Sequence, residues 1–314
     1  MKENKMGTME VRRLILTMSL PIMISMLVQA PYNIVDSMFV ARVSEAALAA
    51  VSLCYPIQMI MVAVACGTGV GINALLSRYL GEKKREKASQ VAMHGLFCAI
   101  CNWLVFAVIG LFFSEAFLCL FSDDVQIIMM GISYMQICTI CSFGVFVQIT
   151  YERIMQSTGN TIYNMVIQGV GALINIILDP IFIFGLGPVP ALGTAGAAIA
   201  TVIGQIVAMF LGIIITQKKI REVQLSVRGF HRDGMIMKAM YRIAIPAILM
   251  QSIMSFMTVM MNMILAPFSE MAVSVFSIYY QLQQFVFMAV LGMNNALIPI
   301  LSYNYGAHQM ERIR

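Results

Sequence analysis

Charged residues are scarce in this sequence: Asp, Glu, Lys and Arg make up only 11% of its 314 residues. Soluble domains carry about a quarter charged residues, because these side chains cover the surface that faces water. Hydrophobic residues instead account for 60% of the chain, and its mean hydropathy is +0.84. This composition excludes a soluble enzyme, a nucleic-acid-binding protein and a disordered chain. We therefore expect an integral membrane protein.

The apolar runs also lack alternation of polar and apolar residues, which excludes the ~10-residue strands of a membrane β-barrel. A transmembrane helix takes about 20 apolar residues. The runs predict an all-α polytopic membrane protein with eight such helices, over residues 14–40, 48–78, 91–113, 127–150, 161–186, 191–216, 238–266 and 272–301. The first run is too long for a cleaved signal peptide and has no small-residue cleavage site, so we expect it to be retained.

Clusters of side chains typical of catalysis or metal binding are lacking as well. Two pairs among the seven cysteines have C-x-x-C spacing, but both lie inside apolar runs without nearby His or acidic residues. His94, His231 and His308 fall in or near loops, where we expect them to be solvated. The sequence contains no Walker motif. We therefore expect neither enzymatic activity nor a bound cofactor or metal.

Positive charge is almost absent from one side of the predicted membrane. All of the 20 Lys and Arg residues except Arg42 fall on the side of the N-terminus, including Arg153, which we place in the loop after the fourth span. Basic loops stay in the cytoplasm during membrane insertion. We therefore expect a multi-pass protein of the cell membrane with both termini in the cytoplasm. The net charge of +5 reflects this topology, and we expect no nucleic-acid partner.

An internal repeat becomes visible when the chain is aligned with itself so that Pro21 falls on Pro246, an arrangement that we call the repeat alignment. Further identical residues then coincide along the first two and the last two predicted spans, among them Glu45/Glu270, Tyr55/Tyr280, Gly67/Gly292 and Gly81/Gly306. Six spans separate the two copies, so both copies have the same orientation in the membrane, as in transporters built from parallel repeats.

The repeat predicts how the chain is divided. We expect an N-terminal six-helix lobe over residues 1–216, a cytoplasmic connection over 217–237, and an incomplete C-terminal lobe of two helices over 238–314. A complete second copy would extend the chain to about 450 residues and twelve helices. We therefore interpret the chain as truncated at its C-terminus.

Several short motifs accompany the repeat. They are Leu20-Pro21, Tyr32-Asn33-Ile34-Val35-Asp36, Gly69-Val70-Gly71-Ile72-Asn73, Ser77-Arg78-Tyr79-Leu80-Gly81-Glu82, Gln156-Ser157-Thr158-Gly159-Asn160 and Asn175-Ile176-Ile177-Leu178-Asp179-Pro180. In this order and together with the repeat, they resemble the multidrug and toxic compound extrusion (MATE) family of transporters. The resemblance extends over the whole chain in the order of its spans.

Asp36 and Asp179 are the only acidic residues inside the predicted spans. A carboxylate at membrane depth is costly and by default marks an ion or substrate pathway. Both lie in the outward half at comparable depths, so they can share one site, where a proton or a captured cation would relieve their charge. Two other interpretations stay open: Asp179 can belong to a helix end or to a turn before Pro180, and Asp36 can be wetted at the outer surface.

The resemblance to MATE transporters implies roles for five residues. Asp36, Asn175 and Asp179 match the positions that form a cation- or proton-binding site in that family. Asn175 precedes Asp179 by four residues and so lies on the same helix face. Tyr32 and Tyr134 match tyrosines that line the adjacent cavity.

Two prolines lie in the first predicted span, where they free backbone carbonyl groups and permit bending. The resemblance implies that this helix bends at Pro21 and Pro31 as Asp36 changes its protonation state. A static kink is the other interpretation that the sequence allows.

We therefore expect a secondary antiporter that exports lipophilic, often cationic organic compounds in exchange for H+ or Na+ by alternating access. Its partners would be the lipid bilayer and a small-molecule substrate, and the full-length protein would be a monomer. A flippase for lipid-linked oligosaccharides is an alternative, but it would need cationic residues near the centres of the spans, where the sequence has none. A membrane-embedded enzyme and a fragment that does not transport are further alternatives.

Overall fold

The structure, a computed structural model, describes residues 4–185, 190–225, 231, 233–265 and 270–313. Over these residues it contains ten α-helices, a 3₁₀ turn at Met310–Arg312 and no strand. The helices, α1 to α10 in chain order, are Lys5–Thr8, Val11–Ala41, Glu45–Gly81, Arg85–Cys119, Val125–Ile140, Phe143–Ser157, Ile162–Phe184, Thr194–Lys219, Gly234–Leu265 and Glu270–Gly306. The prediction of an all-α membrane protein is confirmed.

Seven of the described helices are long and apolar enough to cross a membrane, and the bent pair α5 and α6 makes eight if it crosses as one span. The two helices of this pair meet at 42°, where the sequence predicted one uninterrupted span over 127–150. Trp103 of α4 accounts for the break, because its Nε1 donates to the carbonyl oxygen of Ile140 at 2.7 Å. That carbonyl bonds outside the helix, and the amide of Gly144 turns to Cys141 instead.

Helix α6 continues to Ser157, seven residues beyond the predicted end of the fourth span. Glu152 and Arg153 are therefore helical and buried, with 3% and 7% of their surfaces exposed. The prediction that placed Arg153 in a loop is wrong. The prediction that Asp36 and Asp179 are the only acidic residues within the spans is wrong for the same reason, since the polar end of α6 turns inward.

His94 is fully buried in α4 rather than solvated. Its Nε2 accepts a hydrogen bond from the backbone N–H of Asp233 at 2.9 Å, and its Nδ1 lies 2.8 Å from the carbonyl oxygen of Gln90. Because Nε2 accepts, the ring proton is on Nδ1. The histidine thus holds the start of α9 against α4, whereas His231 and His308 are exposed as predicted.

Contacts between the two copies of the repeat are reciprocal. Gly67 of α3 lies against Ile248 of α9, and Gly292 of α10 lies against Met23 of α2. The repeat alignment turns the first of these pairs into the second. Helix α3 therefore packs on α9 as α10 packs on α2, which is what a two-fold relation between the copies requires.

The ends of α3 and α10 touch in the same reciprocal way. A Cβ added at Gly81 would collide with the carbonyl oxygen of Tyr303, and one added at Gly306 would collide with the carbonyl oxygen of Arg78. These two contacts also exchange under the repeat alignment. The backbones of α3 and α10 thus approach each other closely at two equivalent points beside the two-fold axis.

The turns that follow these two helices correspond as well. Lys83 has a φ of 59° and His308 a φ of 57°, and among the described residues no other side-chain-bearing residue has a positive φ. Such residues rarely adopt this conformation. Because the repeat alignment pairs these two positions, the same turn is built twice. The division of the chain into lobes with a boundary at 217–237 stays a prediction.

Residues Asn4–Met9, which we call the N-terminal clasp, join the segment after α8 to the second copy at the basic end, the end of the bundle where α2, α4 and α9 begin. The side-chain amide of Asn4 donates to Oε2 of Glu222 at 3.0 Å. From the second copy, Asn304 of α10 donates to the carbonyl oxygen of Met6 at 3.2 Å. That the basic end faces the cytoplasm stays a prediction.

The attachment of the clasp should depend on pH through Glu222. Burial raises the pKa of Glu222 above its usual value of 4.5, although hydrogen bonds from Asn4 and nearby positive charges lower it. A carboxyl group whose pKa is raised by folding stabilises the fold most below its usual pKa, and this stability falls as the pH rises towards the raised value. We expect Glu222→Gln to match the native chain in thermal unfolding at pH 4 and to exceed it above pH 4.5.

The matched control for this substitution is Glu86→Gln, because Glu86 is an exposed glutamate at the same end of the bundle. It should follow the native chain at every pH. If the unfolding midpoints of Glu222→Gln and of the native chain differ by the same amount at every pH, Glu222 is not the group that makes the stability depend on pH.

Candidate cation-binding site

Helices α2 and α7 pack against each other and bring Asp36 and Asp179 together. Each residue lies five positions before the last residue of its helix, Ala41 or Phe184, so the two are equally deep. Their carboxyl groups lie close enough to interact with each other. Two ionised carboxylates at such a distance repel each other, so the pair needs a shared proton or a bound cation.

Asn175 fixes the orientation of one of these carboxyl groups. In the amide orientation that satisfies both of its polar atoms, its Nδ2 donates to Oδ2 of Asp179 at 2.8 Å, and its Oδ1 accepts from Oγ1 of Thr201 at 3.0 Å. Thr201 belongs to α8, where a Cβ added at Gly204 would lie only 2.8 Å from the carbonyl oxygen of Gly171. Because the crossing has no side chains, α8 approaches α7 closely enough for this hydrogen bond.

We call Asp36, Asn175, Asp179 and Thr201 the acidic site. Oδ1 of Asp36 and Oδ1 of Asp179 are buried and have no hydrogen-bond partner among the described residues. Buried acceptors without a donor are costly. These two oxygens therefore mark the place where a proton or a small cation can be held.

Among the described residues, no group of three or more His, Cys, Asp or Glu side chains is arranged to hold a metal ion. The ion pairs that they form are at the basic end, where Glu82 pairs with Arg78 and Lys84. The acidic site thus has two carboxyl groups, one amide and one hydroxyl to offer. Such a small set of oxygen atoms suits a proton or a monovalent cation.

The sequence left open whether Asp179 lies at a helix end and whether Asp36 is wetted at the outer surface, and the structure answers the first question. Asp179 does not lie at a helix end or in a turn, because α7 continues through Pro180 to Phe184 and ends at Gly185 with a φ of 75°. Asp36 is half-buried, and one of its carboxyl oxygens is buried.

Tyr134 is buried in α5, with 3% of its surface exposed, and its hydroxyl oxygen accepts a hydrogen bond from Nε2 of Gln58 at 3.1 Å. It packs in the same apolar cluster as Val40 of α2, which brings α5 close to the end of α2 that carries Asp36. Its role in lining a cavity stays a prediction. Tyr32 lies outside the residues whose side chains the structure describes.

Helix α2 runs without a break from Val11 to Ala41 through both of its prolines. The side chain of Pro31 lies outside the described residues, and Pro21 lies in the first half of the helix. Bending of α2 with the protonation of Asp36 stays a prediction.

Two of the motifs that carry the family resemblance contact each other at the α3–α6 interface. The amide of Asn73 donates to Oε1 of Gln156 at 3.3 Å, and Ser157 donates to Oδ1 of Asn73 at 2.9 Å. Arg153 donates to the same Oε1 of Gln156 at 3.0 Å. These buried polar residues form hydrogen bonds with one another and so join the two helices.

A second buried polar group was missed by the sequence analysis. We call Gln148, Glu152, Asn164 and Gln168 the α6–α7 polar cluster. The carboxyl group of Glu152 accepts from Nε2 of Gln148 at 3.0 Å and from Nε2 of Gln168 at 2.9 Å. The i, i+4 spacing of these polar pairs on both helices was the signal that could have revealed it.

Comparison with known proteins agrees with this fold. The family model MatE matches residues 21–181 and 246–314, and the repeat alignment pairs the first residues of these two matches. A FAD transporter of Shewanella oneidensis is 28% identical over 302 residues, which are 96% of this chain and 67% of that protein. The multidrug export protein MepA of Staphylococcus aureus (strain NCTC 8325 / PS 47) is 26% identical over 292 residues, 93% of this chain and 64% of that protein.

A solved structure shares the fold over the whole chain. It shows the outward-facing conformation of a multidrug resistance MATE family transporter of the MOP superfamily, with a TM-score of 0.92 and 26% identity over 100% of this chain and 69% of that one. This chain therefore spans about two thirds of the length of the proteins that it matches. Because the family model covers well over half of its residues, the chain belongs to the MATE family of membrane transporters.

Proposed function

We propose that this chain exchanges a lipophilic organic cation for H+ or Na+ at the acidic site, as the coupling part of a secondary antiporter in the cell membrane. The observation that carries the proposal is the proximity of Asp36 and Asp179, each with a buried oxygen that lacks a described partner. A pair of this kind is stable when it holds a positive charge and unstable when it is empty. Coupling then follows, because proton and cargo compete to neutralise the same two carboxyl groups.

The rest of the acidic site supports this exchange. Asn175 donates a hydrogen bond to Asp179 and accepts one from Thr201. These two bonds fix the side chain of Asp179 on α7. Asp36 is on α2, which contacts both α7 and α10 of the second copy. A change of charge at Asp36 therefore acts on a helix of the first copy that packs against the second copy. Alternating access would arise from movement of the two copies relative to each other.

The charge of the site favours a cationic cargo. The relatives differ in what their names state that they carry, one being an FAD transporter and another a multidrug export protein. FAD carries a negatively charged pyrophosphate, which the two carboxyl groups would repel. Arg42, the basic residue at the same end of the bundle, is exposed beyond the end of α2. Electrostatics therefore support an organic cation over an anion of the FAD type.

The exchange can be tested with the purified chain in detergent, with tetraphenylphosphonium as the cationic probe. If one proton competes with the probe, the apparent affinity should rise about tenfold per pH unit, and binding should release protons into weakly buffered solution. If Na+ is the competitor, the affinity should fall with Na+ and not with H+. Carboxyfluorescein, an anionic probe, should not bind. The proposal is wrong if the affinity for tetraphenylphosphonium depends on neither H+ nor Na+, or if carboxyfluorescein binds more tightly.

A further inference from the structure

The α6–α7 polar cluster is a buried carboxylate site apart from the acidic site. Glu152 is 3% exposed and Asn164 is 1% exposed. Asn164 donates through Nδ2 to the backbone carbonyl oxygen of Glu152 at 3.3 Å, so the cluster closes on itself across α6 and α7. A carboxyl group at this depth is costly unless it performs a task or is fully paired.

The partners of Glu152 can serve both of its protonation states. As an anion, it accepts from the amide groups of Gln148 and Gln168. An amide has both a donor and an acceptor group, so a rotation of about 180° lets Gln168 accept from a protonated Glu152 instead. Oε1 of Gln168 and Oδ1 of Asn164 have no hydrogen-bond partner among the described residues. These two oxygens could accept a hydrogen bond from the carboxyl group of Glu152 when it is protonated.

The cluster lies on the same face of α7 as the acidic site. Asn164, Gln168, Asn175 and Asp179 follow one another at intervals of four, seven and four residues, which is the spacing of one helical stripe. From Gln168 to Asp179 the helix rises about 16 Å. Ionisable residues inside membrane helices are typical of proton relays in transporters, and this stripe carries Asp179 at one end and, at the other, Gln168, the partner of Glu152.

The surroundings of Glu152 favour a proton over a metal cation. Both amide groups point their N–H atoms at the carboxylate, and a metal ion would have to face them. The titratable groups near Glu152 among the described residues are Arg153 on α6 and Cys66 on α3. The positive charge of Arg153 would repel a bound cation, whereas a proton bound covalently to oxygen leaves Glu152 neutral.

We propose that Glu152 is a second protonatable site of this transporter, which takes up the coupling proton between the acidic site and the basic end. The inference rests on the proposed function, because it assumes that H+ is the coupling ion. The proton leaves the carboxyl pair of Asp36 and Asp179, binds the carboxylate of Glu152 and then passes to water at the basic end. No other reagent is needed, since only a proton moves.

Infrared difference spectroscopy of the full chain in lipid, between high and low pH, tests this assignment because a protonated carboxyl group has its own C=O absorption. We expect the native chain to show absorptions from both sites. Glu152→Gln should lose one of them and keep the other, and the double variant Asp36→Asn, Asp179→Asn, which removes both carboxyl groups of the acidic site, should do the reverse. Glu86→Gln, an exposed substitution at the same end, should retain both. Glu152→Asp should restore the lost absorption at a shifted position.

Each result separates the two proposals. A spectrum of Glu152→Gln identical to that of the native chain overturns the role of Glu152 and leaves the acidic site intact. If the native chain shows no absorption from the acidic site, the proton-coupled form of the proposed function is overturned instead. If Glu152→Gln does not fold, Gln168→Leu can be measured in its place. This substitution removes one amide partner of Glu152 and should shift the Glu152 absorption. An unshifted spectrum overturns the inference.

Discussion

Asp179→Asn is expected to abolish the pH dependence of cation binding while leaving the helical fold intact. Asparagine keeps the shape of the side chain and removes its charge, so the proton has one carboxyl group fewer to hold it. The apparent affinity for tetraphenylphosphonium, which should change about tenfold per pH unit in the native chain, should become flat. Equilibrium binding measured across a series of pH values provides the check.

The pairing of the two carboxyl groups also predicts how the single and double variants compare. If Asp36 and Asp179 share one proton, Asp36→Asn alone and the double variant should give the same flat curve as Asp179→Asn. Asp124→Asn is the matched control, because Asp124 is exposed and caps α5 through the N–H of Gln126, a role that asparagine performs equally well. Effects that add in the double variant would show that the two groups act independently.

Gly306→Ala and Gly81→Ala should each destabilise the chain, by about 1–3 kcal/mol in the free energy of unfolding, the usual cost of overpacking. In both variants the new methyl group meets a backbone carbonyl oxygen, which cannot move aside as a side chain can. The two effects should be similar, because the contacts are equivalent in the two copies. Thermal unfolding in detergent, followed by the fluorescence of the single tryptophan, Trp103, measures them.

Gly169→Ala is the control for these substitutions. A Cβ at Gly169 has no heavy atom within 4 Å, although the residue lies inside α7. Alanine should therefore stabilise this helix by about 0.5–1 kcal/mol, since glycine is the poorer helix former. If all three alanine variants unfold at the same temperature, the close approach of α3 and α10 is not what holds their ends together.

Helical periodicity and depth were enough to predict the pairing at the acidic site. Asp36 and Asp179 stand at equal depth, and Asn175 stands one turn from Asp179, so local spacing contained that information. Thr201 could not be found in this way, because it reaches Asn175 only through the close crossing of α7 and α8 at two glycines. Contacts between helices depend on packing, which local spacing does not encode.

Hydropathy also misplaced the end of the fourth span. The apolar run stops at residue 150, and a polar segment that faces other helices has the same hydropathy as a loop. Arg153 was therefore assigned to a loop, and Glu152 was not counted among the acidic residues of the spans, although the structure buries both. His94, which was expected to be solvated, is buried as well. The bend between α5 and α6 was missed for a related reason, since it depends on Trp103, a residue of another helix.

The contact of Gly67 with Ile248 can form only late in the synthesis of the chain. Ile248 leaves the ribosome about 180 residues after Gly67, which takes roughly 10–40 s at the usual rate of translation. Throughout this interval the small-residue face of α3 is inserted without the helix that covers it. Such faces readily bind other helices in a bilayer, so α3 is open to premature partners until one of the last helices of this chain has been made.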